Sequence, residues 1–110
     1  MPYDLELADR LRDLLSVEPE VTEKKMFGGL VFLVRGHMTV CAVGRGGIML
    51  RVDPAQTDAL LAEPQTSPIV MQGREMNGWL HVDIDTTAGD DELGRWVDLG
   101  LSFVETLPPK

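Results

Sequence analysis

Residues 21–52 read VTEKKMFGGLVFLVRGHMTVCAVGRGGIMLRV, and this stretch decides the fold. Its Val, Phe, Leu, Thr and Ile residues come in short runs broken at Gly28-Gly29, Gly36-His37 and Gly44 to Gly47, the punctuation of strands joined by turns. Three strands are predicted, over roughly 23–35, 38–43 and 48–52. The Gly28-Gly29 pair fits a two-residue hairpin turn or a bulge inside one long bent strand, and local sequence does not separate these. Successive strand side chains leave opposite faces of a sheet, yet every residue of Leu30-Val31-Phe32-Leu33-Val34 is apolar. Met38, Val40 and Ala42 against Cys41 and Val43 repeat the arrangement, so both faces of the sheet require cover. Three helices could cover both between them, but if they gather on one face the other is left for a second subunit, and a homodimer is expected on the ground of the two apolar faces.

Working outward, Asp4 is placed to cap a helix whose apolar positions Leu7, Ala8, Leu11, Leu14 and Leu15 follow the 3.6-residue period, with Pro19 marking its end. Asp53-Pro54 is a cap followed by proline at the first helical position, and opens a short helix ending near Glu63-Pro64. Ile69 to Met71 and Trp79 to Asp83 read as two further strands. Asp90, Asp91 and Glu92 stack negative charge at the start of a last helix, where its dipole favours it. Leu93, Trp96, Val97, Gly100, Val104 and Leu107 form that helix's apolar stripe, and Pro108-Pro109 stops it. The predicted order is α-β-β-β-α-β-β-α, an α+β fold with an antiparallel sheet, in one domain spanning 1–110.

The single cysteine, Cys41, makes no internal bridge and points to a reducing compartment. The N-terminus turns amphipathic at once, without the basic and apolar regions of a secretion signal. The longest apolar run, Leu30 to Val34, falls far short of the roughly 20 residues of a membrane-spanning helix, so a cytoplasmic protein is expected. A net charge of -8 repels a phosphate backbone at long range and makes direct nucleic-acid binding by the whole surface unfavourable. The charge is unevenly placed. Between residues 24 and 52 stand five basic side chains (Lys24, Lys25, Arg35, Arg45, Arg51) and no acid, leaving five basic residues against eighteen acids elsewhere. The Arg35 and Arg45 side chains, beside predicted turns, either neutralise acidic helices of the protein or its dimer mate or recognise an acidic partner; neutralisation is favoured.

Gly44-Arg45-Gly46-Gly47 leads into a strand and not into a helix N-terminus, so it reads as a hairpin loop, not a phosphate loop. His37, Cys41 and His81 are the candidate soft or imidazole ligands, and none stands at zinc-site spacing. Counting a calcium loop from Asp83 puts Ala88 and Gly94 where glycine and glutamate are needed. No metal or cofactor is expected. Ser16, Ser67 and Ser102 lack a nucleophile elbow, so an active site has to be assembled in space. Cys41 in an apolar strand reads as a small hydrophobe, His37 as a turn residue, and His81 as facing solvent or a carboxylate.

Lys24-Lys25-Met26-Phe27-Gly28-Gly29 with the apolar strand after it resembles the signature of the TfoX/Sxy family's N-terminal domain. The resemblance continues through Met49-Leu50-Arg51-Val52, the Asp53-Pro54 helix, Gly78-Trp79 and the closing Leu107-Pro108-Pro109-Lys110. It implies a secretion-chaperone-like α+β fold with a tendency to dimerise, a bulge at Gly28-Gly29, and a role in regulation, the family being named for regulators of natural competence that act with other transcription factors. Those regulators add a helical C-terminal domain; this chain stops at Lys110. The family supplies no catalytic residues, so Lys25, Met26, Phe27, Gly28 and Gly29 transfer only as a motif, in which glycine permits a bend and Phe27 packs in the core.

The function expected is therefore a non-catalytic regulatory or protein-interaction module, working as a homodimer or with a regulatory protein partner. Its candidate binding residues are Lys25, Met26, Phe27, Gly28, Gly29, Arg35 and Arg45. A small-molecule or nucleic-acid binding domain using the basic segment 24–52 is the alternative, and a small enzyme the third reading.

Overall fold

A computed structural model describes residues 3–26, 28–44, 46–85 and 88–108. The chain opens with α1 (Leu5–Leu15), whose first turn is capped by the Asp4 carboxylate accepting from the backbone N–H groups of Glu6 and Leu7 at 3.0 and 3.2 Å. Strands β1 (Val21–Met26), β2 (Gly29–Val34), β3 (His37–Ala42) and β4 (Ile48–Arg51) follow. The Asp53 carboxylate then caps a 3-10 turn, Pro54–Gln56, which runs into α2 (Thr57–Leu61). Strands β5 (Thr66–Met71) and β6 (Arg74–Val82) precede α3 (Asp90–Val104). All six strands lie in one antiparallel sheet of order β1-β2-β3-β4-β6-β5.

The α+β class and antiparallel sheet are those expected, but the strand predicted over 23–35 is two strands. Met26 pairs with Gly29, and the register runs unbroken to Val21 opposite Val34, so the turn between them is a hairpin. The bulge expected at Gly28-Gly29 is therefore overturned. Gly28 supplies the positive φ (71°) that a two-residue hairpin loop demands. A bulge does occur one strand later, where Phe32 faces Val40 and Leu33 faces Met38, leaving Thr39 as the extra residue.

The helices all pack on one face. There Leu7, Leu11 and Leu15 of α1 and Leu93, Trp96 and Val97 of α3 close a core over Phe32, Val40, Leu50 and Leu80, with Leu60 and Leu61 of α2 at its margin. On the other face Val31, Leu33, Cys41, Val43, Met49 and Ile69, flanked by Met38 and Trp79, form a second cluster drawn wholly from the sheet and its strand ends. Each of those six residues is at most 9% exposed although no helix covers them. These six residues are thus buried within one chain, while Met38 and Trp79 beside them stay half-exposed. The accessible surface of 6151 Å² agrees with the roughly 6,000 Å² that a folded monomer of this mass exposes.

The two outer strands are guarded differently. In β5, the hydrogen bond from Asp83 N–H to the Gln65 carbonyl (2.7 Å) sets the pairing phase, so residues 66 and 68 turn their backbone groups outward. Pro68 removes the donor at one of these, and a register shift between Pro68 and Val70 breaks the edge. Strand β1 has no proline and no register shift.

Candidate functional site

The hairpin topology sorts the candidate residues. Lys25, Met26, Gly28 and Gly29 lie at the β1–β2 turn, and the loop between β3 and β4 reaches the same end of the sheet. Arg35, in the β2–β3 turn, lies at the opposite end. Phe27 and Arg45 fall outside the described residues. Arg35 has a positive φ of 52° and donates its backbone N–H to the Glu20 carbonyl at 3.0 Å, which fastens the turn to the start of β1.

Gly29 is buried against β3, and a Cβ built on it would sit 2.1 Å from the Ala42 carbonyl oxygen. Gly47 makes a comparable approach, 2.4 Å, to the Val82 carbonyl oxygen. His81, expected to face solvent or a carboxylate, is half-exposed and also places Nε2 2.8 Å from the Gly46 carbonyl, which ties the β3–β4 loop to β6. His37, expected in a turn, opens β3 and is buried, with Nε2 2.6 Å from the Pro108 carbonyl. Cys41 is fully buried, and desolvation pushes its thiol up to about 11, so it is a packing residue as expected and a poor nucleophile.

Ion pairs among the described residues use other arginines than those the sequence singled out. Arg10 reaches Asp90 at 2.7 Å, Arg95 reaches Glu63 at 2.7 Å, and Arg12 holds both Glu23, at 2.6 Å, and Asp9. The Arg12 hydrogen bonds keep the Glu23 carboxyl below its usual range, partly opposed by desolvation. Lys24, Lys25 and Arg35 form no ion pair with any described carboxylate. Arg51 instead lies between aromatic rings, 5.7 Å from the Trp79 centroid and 5.5 Å from that of Phe103. Neutralisation of the chain's own acids, the favoured reading for Arg35, is not what its side chain does among the described residues. The signal missed in the sequence is that α1 and α3 carry their own cations, Arg10, Arg12 and Arg95, at positions that meet those acids.

One concavity, of about 510 Å³, is lined among the described residues by Asp90, Asp91, Gly94, Arg95, Asp98 and Ser102 together with Leu99, all from α3. A wall drawn from one helix makes a furrow, not an enclosing pocket. A narrower groove of about 230 Å³ lies between α2 and the β5–β6 hairpin, with Asp58, Glu75 and Trp79 in its lining. Among the described residues, no three His, Cys, Asp or Glu side chains gather as metal ligands. No helix among them is long and apolar enough to cross a membrane.

A six-stranded antiparallel sheet with its helices on one face defines the structural class. Within it, the model of the TfoX N-terminal domain matches residues 13–104, and the chain belongs to that family. The crystal structure of a Deinococcus radiodurans protein with a DUF419 domain is similar at a TM-score of 0.66 and 25% identity, over 88% of this chain and 77% of that one. No curated protein matched the chain.

Proposed function

We propose that this chain is a non-catalytic regulatory module of the cytoplasm that acts by binding another protein through basic residues left unspent by its own fold. The observation that carries the reading is the separation of roles among the cations: Arg10, Arg12 and Arg95 hold Asp90, Asp9, Glu23 and Glu63, while Lys24 and Lys25 stand exposed and form no ion pair with a described carboxylate. In a chain of net charge -8, such a local basic strip attracts an acidic partner and orients it. The regulatory character rests on the likeness to the competence regulators that give the family its name.

Cross-linking in the native cell tests it, comparing the wild type with a Lys24→Gln, Lys25→Gln, Arg35→Gln variant of equal unfolding midpoint. The wild type is expected to retrieve a reproducible partner that the variant loses. Identical sets of partners for the two proteins would sink the reading.

A further inference from the structure

Strand β1 is the open edge of the sheet, and the phase of its pairing fixes what that edge offers. The Arg35 N–H bonded to the Glu20 carbonyl marks 20/35 as a hydrogen-bonded pair, and the unbroken register makes 22/33, 24/31 and 26/29 the same kind. Val21, Glu23 and Lys25 therefore turn their backbone N–H and C=O groups away from β2, toward solvent. From Thr22 to Met26 the residues are all exposed. The opposite edge, β5, is blocked by Pro68 and a register shift, so of the two edges β1 alone presents a regular ladder.

Side chains give that ladder a chemistry. Lys24 lies on the helix-free face, across from Val31, and Lys25 on the helix face, across from Leu30. Neither meets a described carboxylate, whereas the charge of Glu23 is already met by Arg12. An added strand has adjacent residues on opposite faces, so two consecutive acidic residues would meet Lys25 and Lys24 in turn. A second copy of β1 matches only in part. An antiparallel two-fold pairing must set outward residues against outward residues: centred on Glu23 it opposes Glu23 to Glu23, and centred on Lys24 it sets Glu23 opposite Lys25 on either side but opposes Lys24 to Lys24, whereas an acidic segment meets both lysines.

We infer that β1 is a docking edge that accepts an extended acidic segment of a partner protein as a seventh, antiparallel strand. This deepens the proposed function by naming how and where the partner binds. Backbone hydrogen bonds at Val21, Glu23 and Lys25 hold the segment, and its paired carboxylates select Lys24 and Lys25.

The test uses the purified chain and a capped peptide, Ile-Glu-Glu-Lys-Thr-Val, whose residues fall opposite Met26 to Val21 in that order. Amide exchange is followed by NMR, residue by residue. Millimolar peptide is expected to slow exchange at least fivefold at Val21, Glu23 and Lys25, and to leave Thr22, Lys24 and Met26, already bonded to β2, little changed. Glu23→Pro removes an outward donor while sparing the bonds to β2, and is expected to abolish this protection in a protein that still unfolds cooperatively. Should Glu23→Pro fail to fold, Lys24→Gln with Lys25→Gln keeps the ladder and is expected to weaken binding about fivefold at low salt. Protection confined to other residues, or none at all, overturns the inference. So does protection of the three outward amides without peptide in a sedimenting dimer, which would give the edge to a second copy. If cross-linking retrieves a partner that the basic residues control but these amides stay unprotected, the docking edge is wrong and the interaction module stands. The converse result retains the edge and removes the cellular reading.

Discussion

Gly28 has a φ of 71°, and a Cβ added to it would meet no atom within 4 Å, whereas Gly29 has an ordinary φ and its Cβ would lie 2.1 Å from the Ala42 carbonyl oxygen. The two neighbours are thus glycine for different reasons, one for backbone conformation and one for space. Gly28→Ala strains only a left-handed turn and is expected to cost about 1 kcal/mol. Gly29→Ala forces β2 from the backbone of β3, where no side chain can yield, and is expected to cost about 3 kcal/mol. Urea unfolding of the two variants checks this, and equal losses would contradict the assignment. The sequence marks the pair as special but not why. A left-handed residue is a local property that Gly-Gly advertises, while the approach of Ala42 depends on a strand thirteen positions away.

At the scale of elements, the starts of the first two helical segments were legible because capping is local chemistry: Asp4 and Asp53 accept the backbone donors that their positions foretell. The break between β1 and β2 was not, because Gly28-Gly29 serves a hairpin or a bulge equally well until the partner of each strand is known. The packing of α3 was half legible. Its apolar stripe was read from spacing, but within it Gly100 would place a Cβ 2.9 Å from Leu50 Cδ1 and 3.1 Å from the Arg51 carbonyl oxygen, so this glycine sets how closely the helix lies on the sheet. Gly94, on the same helix, has only Leu14 Cδ2 at 3.9 Å. Gly94→Ala is expected to stabilise by about 0.5–1 kcal/mol through helix propensity, and Gly100→Ala to destabilise by about 1–3 kcal/mol by lifting α3. Thermal unfolding reads the two signs directly, and a stabilised Gly100→Ala protein would show that the helix shifts freely.

Over the whole molecule, the candidate residues divide between two ends of one sheet, a division that follows from counting strands. Because β2 separates the first turn from the second, Arg35 lies away from the Lys25 motif, and the charge pattern alone could not reveal it. The same topology brings distant segments together at the Arg35 end. There the β2–β3 turn lies beside the residues that follow α3, and His37 Nε2 meets the Pro108 carbonyl, 71 positions on in the sequence, at 2.6 Å. A carbonyl only accepts, so Nε2 donates, and Nδ1 is left buried without a described partner. The contact therefore combines one good bond with one unmet group, and its loss should be felt locally and not globally. His37→Leu removes both atoms. The bond to Pro108 is worth about 1 kcal/mol, so amide exchange at Thr106 and Leu107 is expected to quicken about fivefold. Since the unmet Nδ1 disappears with the ring, the global unfolding free energy is expected to change by less than about 1 kcal/mol. Hydrogen exchange together with urea unfolding separates the two effects. A large global loss with no selective change at Thr106 and Leu107 would mean that His37 serves the core by its bulk, and that the end of the chain is held by other contacts.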